Sequence, residues 1–419
     1  IHSKVRREAP PRGCSLQYTQ GQCSTPCYTS VMQNVWRRAG AFLPFYLLAF
    51  VFTLHVAAPA YINSTFLSGK IGEGAVGIVY AVASAATLAC FFFISSLLKK
   101  RGDYDLTLTL MALDFIATIG LTALKHPYAI VAAFAVNFVT VSLISFDFDL
   151  LLESFSKNAR TGTVRGNYLT VANIAWLVSP FIAGLALKNG DYWRIYLIGL
   201  AFLLAAFIIF RKFFRGFKDP AYNALPFFAT VRAIFRKRNI RLIFGAAFVL
   251  HFFYALMVIY MPLYLHEYIG FAWQEIGIMF SIMLLPFVLL EGPLGRIADR
   301  WLGEKEFLAA GFVVTAAATA LVGFLSTSSF ALWTSVLFAT RVGASMIEIM
   351  SETYFFKKIG AGDAAIVAFY RAVRPFAYVV APLFASFFLA AFALGDLFFA
   401  LAAITLAGLA FTLPLKDTK

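Results

Sequence analysis

Apolar and polar residues alternate along this chain in long blocks rather than residue by residue. Between Ala41 and Leu413 there are about twelve hydrophobic stretches, most of them 19 to 27 residues long, separated by short polar loops. A helix of roughly 20 apolar residues spans the ~30 Å hydrocarbon core of a bilayer, where only helices and closed barrels satisfy every backbone polar group. The pattern predicts an all-α integral membrane protein with twelve transmembrane helices, at 41–62, 75–97, 105–123, 128–153, 167–187, 193–213, 240–265, 271–294, 306–325, 329–353, 364–390 and 395–413.

The composition and the placement of charge support a membrane protein and orient it. Of the 419 residues, 61% are hydrophobic and 13% are charged, and a soluble chain of this length has too little interior to hide so much apolar surface. With both termini in the cytoplasm, 28 of the 35 Lys and Arg residues lie on the inner side, four lie outside and three lie within spans. This bias follows the positive-inside rule. It predicts a plasma or inner membrane protein with cytoplasmic termini, and it explains the net charge of +14 without nucleic-acid binding.

Residues 1–31 differ from the rest of the chain. They are polar, hold Cys14, Cys23 and Cys27, and begin with Ile1 rather than Met. Met32 stands just ahead of the first span, so we expect 1–31 to be a poorly structured extension from upstream of the natural start. The cysteines have no nearby ligand at a recognisable zinc spacing, and a reducing cytoplasm disfavours disulfides.

The chain contains an internal repeat at an offset of about 200 residues. In span five Tyr168, Val171, Ala175, Val178, Pro180 and Ala183 match Tyr370, Val373, Ala377, Val380, Pro382 and Ala385 of span eleven. Gly77 and Gly277 begin spans two and eight in similar surroundings, and Asp149 corresponds to Glu348. Six spans per half is an even number, so both halves enter the membrane with the same orientation. We expect two parallel, pseudo-symmetric six-helix bundles, at 32–213 and 240–419, joined by a cytoplasmic linker at 214–239, with a binding site between them near the midplane.

The loop after span eight carries a recognisable motif. It runs from Gly295 through Asp299 and Arg300 to Gly303, and it resembles the signature of the major facilitator superfamily, with one extra residue in its spacer. The resemblance covers about residues 41–413 in architecture. It implies the twelve-helix fold of that superfamily and transport of a small solute by alternating access, and we expect the protein to act as a monomer.

The same motif predicts a gate on the inner side. Asp299 can face the positive end of a neighbouring helix, and Arg300 can pair with an acid such as Glu352 across the seam between the halves. Glu153 on span four is a further acid assigned to this gate. The alternative is a basic loop that only stops translocation.

Charged residues within spans mark a second region of interest, because each costs roughly 2.5–3.5 kcal/mol at the helix centre on insertion scales. Arg341, Ser345, Glu348 and Glu352 form one stripe of span ten, and Arg371, Arg374 and Tyr378 follow one another along span eleven. In one interpretation the two acids pair with the arginines of span eleven and close the inner gate. In the other, part of the set binds an anionic or polar substrate or carries a proton. We favour gating for the two acids and a substrate or coupling role for Arg341.

Further polar residues are candidates for the same cavity. Asp149 lies on span four, and Asp114 in span three is either a neutral, hydrogen-bonded acid or a proton site. By the family resemblance, spans one and seven border the cavity, and a histidine there can relay protons or remain neutral and hydrogen-bonded. The remaining candidates, for cavity contacts or for packing, are His55, His251, Asn173 and Trp176.

These observations favour a proton-coupled secondary transporter of a small solute. No nucleotide-binding loop, His-Glu-x-x-His helix or Gly-x-Ser-x-Gly elbow occurs, so we expect no cofactor, no metal and no enzymatic activity. A passive uniporter on the same fold is the main alternative, and a non-transporting sensor, scaffold or membrane enzyme is a further one. The arginines suit anions or polar organic solutes, and the aromatic residues suit amphipathic drugs.

Overall fold

The computed structural model describes residues 27–155, 161–187, 191–215, 232, 236–290, 293–294, 303–358 and 364–416. The side chains of 27–41, 92, 95, 96, 99, 153–166, 169, 356 and 364–368 are not described. Residues 44–416 belong to one compact unit, Pro44–Lys419, and the described part of the other unit, Ile1–Leu43, is the first part of a helix. That helix begins at Cys27, inside the predicted extension, whereas residues 1–26 and most of the linker 214–239 lie outside the described residues.

The described residues are helical throughout and contain no strand. The helices are α1 (Cys27–Ala60), α2 (Asn63–Ile71), α3 (Glu73–Arg101), α4 (Asp103–Ala123), α5 (Pro127–Phe155), α6 (Thr161–Ala186), α7 (Trp193–Phe214), α8 (Arg238–Leu263, continued by a π-helical turn Tyr264–Ile269), α9 (Trp273–Leu289), α10 (Glu304–Phe324), α11 (Phe330–Lys358), α12 (Ala364–Leu389), α13 (Asp396–Leu406) and α14 (Leu409–Thr412). The last predicted span is divided between α13 and α14, with Gly408 packed against the Phe312 ring at the break.

Within the described ranges, nine helices are long and apolar enough to cross a membrane. Three shorter apolar helices, Thr170–Ala186, Trp273–Leu289 and Asp396–Thr412, occupy the remaining predicted spans. Large apolar side chains remain exposed on these helices, as at Phe93 (66%), Ile116 (66%) and Phe387 (78%). A bilayer accounts for this exposure because lipid tails, unlike water, solvate apolar side chains without cost.

Matching breaks precede α4 and α10. Gly102 (φ 79°) and Gly303 (φ 83°) both adopt positive φ, which glycine tolerates because it lacks a Cβ. Each is followed by a buried acid, Asp103 or Glu304, at the start of the next helix. The same turn therefore occurs twice, at the predicted repeat distance.

Helix packing defines two ends of the compact unit. At one end the Tyr196 hydroxyl donates to Asn63 (2.7 Å) and the Tyr268 hydroxyl donates to Glu73 (2.8 Å). We call this the distal end, formed by residues 63–73, 191–196 and 267–274. At the opposite, terminal end, the Tyr354 hydroxyl donates to the carbonyl oxygen of Lys416 (2.6 Å).

Candidate functional site

The most unusual side chain of the predicted cavity is Arg341 on α11. It is only 2% exposed, and its guanidinium carbon lies 5.2 Å from the ring centre of Phe253 and 5.6 Å from that of Tyr254, both on α8. Its Nε and Nη1 atoms are buried and have no hydrogen-bond partner among the described residues. Each cation–π contact contributes about 0.5–2 kcal/mol, but an aromatic face leaves the N–H donors of the guanidinium without a strong acceptor.

Tyr254 connects this cation to an acid. Its hydroxyl donates a hydrogen bond of 2.7 Å to Oε2 of Glu348, which lies two turns along α11 from Arg341 on the same stripe. Tyr254 therefore contacts Arg341 with its ring and Glu348 with its hydroxyl group. Arg374 lies within electrostatic range of Glu348.

Helix α12, which also packs against α8, completes the cluster. Arg374 is exposed and lies within hydrogen-bonding range of the Tyr378 hydroxyl. His251 stacks edge-on to Tyr254 at 6.0 Å, and its buried Nδ1 has no partner among the described residues. Tyr61, at the end of α1, lies in the electrostatic field of Arg341 and Arg374. The structure thus brings Arg341, Glu348, Arg374, Tyr378 and His251 together.

The other arginine of α12 pairs with the first half of the chain. Nε of Arg371 lies 3.5 Å from Oδ2 of Asp149, so this ion pair connects α12 to α5. The two side chains are 33% and 25% exposed, and solvent access makes such a pair worth about 0–1 kcal/mol. Glu352, a turn beyond Glu348, lies in electrostatic range of Tyr370.

Two glycine contacts join the halves near the distal end. A Cβ on Gly277 of α9 would lie 2.5 Å from the carbonyl oxygen of Pro180 on α6, and one on Gly77 of α3 would lie 2.7 Å from that of Pro382 on α12. Backbones can approach this closely only where no side chain intervenes. Because Gly77 corresponds to Gly277 and Pro382 to Pro180 in the repeat, the two seams are symmetry-related. Gly184 faces Gly277 across the second seam.

His55 and Asp114 form a buried pair inside the first half. Nε2 of His55 lies 2.9 Å from Oδ2 of Asp114, and Nδ1 lies 3.0 Å from the carbonyl oxygen of Gly199 on α7. Since a carbonyl oxygen only accepts, Nδ1 carries a proton, and a second proton is shared between Nε2 and the carboxyl group. Asn137 (2.7 Å) and Thr140 (3.0 Å) of α5 donate to the other oxygen of Asp114. The pair ties α1 to α4, α5 and α7.

The remaining predicted residues divide between the cavity and undescribed regions. Trp176 packs edge-on against Tyr61 at 6.2 Å, and Asn173 is half-buried one turn earlier on α6. Of the gate motif, Gly295, Asp299 and Arg300 lie outside the described residues, as does the side chain of Glu153. Gly303 is described and forms the turn before α10.

Sequence reasoning missed Phe253 and Tyr254, the residues that surround Arg341. The chain holds 47 Phe and 18 Tyr, so neither residue type draws attention. The available signal was spacing, because Tyr254 lies three residues after His251 and so on the same face of α8. It also missed the partner of Glu304, which is buried and paired with Lys357.

The described part of the chain holds no cluster of metal-ligating side chains and has a groove at its terminal end. No group of three or more His, Cys, Asp or Glu side chains there could hold a metal ion. A groove of about 370 Å³ lies at the terminal end, away from the predicted cavity, and is lined by Lys237, Arg238, Asn239, Ile240, Lys358 and Lys416. Four of these six lining residues are Lys or Arg, so the groove is basic.

Comparison with known proteins identifies the family. A family model for the Major Facilitator Superfamily matches residues 148–362, just over half of the chain, from the end of α5 to the end of α11. The curated proteins contain no match.

Proposed function

The chain belongs to the major facilitator superfamily, and from this membership we propose that it is a secondary active transporter that moves a small solute by alternating access, coupled to protons. Members of this superfamily are multi-pass membrane proteins. They are transporters of small molecules and not enzymes. We further propose that the protein is a monomer made of two parallel six-helix bundles, as the sequence repeat indicates. The charge bias supports cytoplasmic termini and a distal end that faces outward.

The observation that carries the proposal is the pair of symmetry-related seams at the distal end. Alternating access requires that one end close while the other admits solute. The Gly77–Pro382 and Gly277–Pro180 contacts close the distal end between the halves. On the other side, Arg374 is exposed, which supports access from the terminal end.

Glu348 is the proposed proton site. It is half-buried, accepts a hydrogen bond from Tyr254 and lies in the electrostatic field of Arg374 and Arg341. A proton on this carboxyl group removes the negative charge that faces these two arginines, so the charge state of the site changes with proton binding. The His55–Asp114 pair is less suitable, because its two residues are 2% and 0% exposed.

The test is proton movement in proteoliposomes. Purified protein is reconstituted with a pH-sensitive dye inside, and solutes of each charge class are added outside. We expect at least one solute to drive acidification that a protonophore abolishes, and Glu348→Gln to lose it while retaining solute exchange. Glu306→Gln is the matched control, because Glu306 is an exposed acid at the start of α10. Solute flux that ignores a pH gradient would establish a passive uniporter instead.

A further inference from the structure

We propose that the transported solute is a small organic carboxylate that binds to Arg341 and crosses the membrane with one proton on Glu348, so that transport is electroneutral. This inference rests on the proposed transport function and specifies the substrate class of the same site.

Arg341 carries a buried positive charge whose Nε and Nη1 have no hydrogen-bond acceptor among the described residues. A guanidinium that is 98% buried must have its N–H donors satisfied or lose several kcal/mol of solvation. Among the described residues it makes contacts with the rings of Phe253 and Tyr254 and no hydrogen bond. A buried cation whose donors lack acceptors fits a site that receives an anion at some stage of its cycle.

The acids near Arg341 have other contacts. Glu348 accepts the hydroxyl of Tyr254, and Asp149 lies against Arg371. Glu352 is a turn further along α11, near Tyr370. The helices packed against α11 add no acid at the level of Arg341, because the acids of α9 and α10, Glu275, Glu304 and Glu306, all lie in the first turn of their helices.

The surroundings of Arg341 combine apolar and polar groups. The rings of Phe253 and Tyr254 offer apolar surface against this buried positive charge. The hydroxyl of Tyr378 lies in its electrostatic field, and the unpartnered Nδ1 of His251 lies beside Tyr254. One charge balances a monoanion, whereas inorganic phosphate would add a second negative charge. Apolar rings favour a solute with an organic body.

Binding a carboxylate and a proton together leaves the charge of the cluster unchanged. Glu348 lies in the electrostatic field of both Arg374 and Arg341. A carboxylate on Arg341 adds one negative charge to this cluster, and a proton on Glu348 removes one. Either half-loaded state therefore differs from the empty site by one unit of charge in a low-dielectric site, which opposes closure. Tyr370 lies in electrostatic range of both Glu348 and Glu352.

The test uses labelled pyruvate, lactate and phenylpyruvate, with lactamide, choline and inorganic phosphate as solutes of other charge, in the same proteoliposomes and in protein-free vesicles. We expect uptake of the monocarboxylates with one proton each, at a rate unaffected by a potassium diffusion potential. Arg341→Gln should weaken carboxylate affinity by about 10- to 100-fold, the effect of one charge-assisted hydrogen bond, and Arg341→Lys should restore part of it. Arg211→Gln, an exposed arginine at the end of α7, should behave as wild type.

The possible failures are distinguishable. Proton-coupled uptake of choline or lactamide without carboxylate uptake would overturn the substrate class and leave the transporter proposal standing. If carboxylate uptake depends neither on pH nor on Glu348→Gln, the proposed proton coupling is wrong but the anion site is supported. If folded protein moves no solute of any charge, the transport proposal itself fails. If Arg341→Gln does not fold, two other measurements test the anion site. Reduced carboxylate affinity in Arg341→Lys and a thermal shift of the wild-type protein by pyruvate would support the site, and the absence of both would overturn it.

Discussion

Replacing Gly77 by alanine should open the distal end of the protein. The added methyl group would lie 2.7 Å from the carbonyl oxygen of Pro382 and 2.5 Å from the hydroxyl of Tyr260. A carbon and an oxygen in close contact are normally separated by about 3.3 Å or more. Helices α3 and α12 must therefore move apart by roughly 0.6 Å, or their contact must break.

The size of the effect follows from the cost of overpacking. Inserting a methyl group into a packed contact typically costs about 1–3 kcal/mol. Since 1.4 kcal/mol is tenfold in an equilibrium constant, the ratio of closed to open molecules should fall by about 5- to 150-fold. Gly74 is the matched control, because it lies three residues earlier on α3 and a Cβ there would meet nothing within 4 Å. Both substitutions replace a glycine of α3 by alanine, and only Gly77→Ala places the added methyl group in the seam.

Pulsed electron paramagnetic resonance can measure the change. In a background without cysteine, spin labels on Val82 of α3 and Phe387 of α12 report the distance across the seam from exposed positions. Gly77→Ala should show a longer-distance population that wild type and Gly74→Ala lack. Gly277→Ala, the repeat-related change, should act in the same direction, and the two effects should add because they lie on different seams.

One result would refute this reasoning. If folded Gly77→Ala and Gly277→Ala both give the wild-type distance distribution, the glycine contacts do not control the distal end. The assignment of the seams to alternating access would then lose its support.

Two further predictions concern ion pairs. Substituting His55 by alanine leaves Asp114 buried without its partner, so we expect the free energy of unfolding to fall by about 3–5 kcal/mol. Thermal or denaturant unfolding in detergent measures this loss, and an added Asp114→Asn should partly restore stability. A loss below about 1 kcal/mol would contradict the paired charge. Arg371→Ala removes a partly exposed contact to Asp149. Spin labels across that contact should show that the ratio of molecules with an open terminal end to those with a closed one rises by only about two- to fivefold, corresponding to about 0.5–1 kcal/mol. Unchanged label distances would exclude a gating role for this pair.

The helices were predictable from the sequence because the bilayer fixes their length. The spans predicted at 105–123, 193–213 and 306–325 correspond to α4 (Asp103–Ala123), α7 (Trp193–Phe214) and α10 (Glu304–Phe324) within two residues at each end. Apolar length is a property of consecutive residues, so it needs no tertiary information. The close approach of Gly408 to the Phe312 ring at the break in the last span was not predictable, because it involves another helix.

Part of the candidate site was also visible in the sequence. Buried charge in an apolar helix is conspicuous, and the spacing of Arg341 and Glu348 places them on one face. Their partners were not visible. In one of the two interpretations Glu348 pairs with an arginine of span eleven. In the structure Glu348 accepts a hydrogen bond from Tyr254 and lies in electrostatic range of Arg374, while Arg371 lies against Asp149.

The sequence by itself determined the membrane environment, the helical class, the span positions, the repeat and the residues that carry charge, because each of these is encoded in local composition and spacing. Only the tertiary structure decided which side chains meet: Tyr254 between Arg341 and Glu348, His55 against Asp114, and Gly77 against Pro382. These contacts join helices distant in the chain. The period of a helix fixes which face a residue occupies, but the neighbour of that face depends on how all the helices pack together.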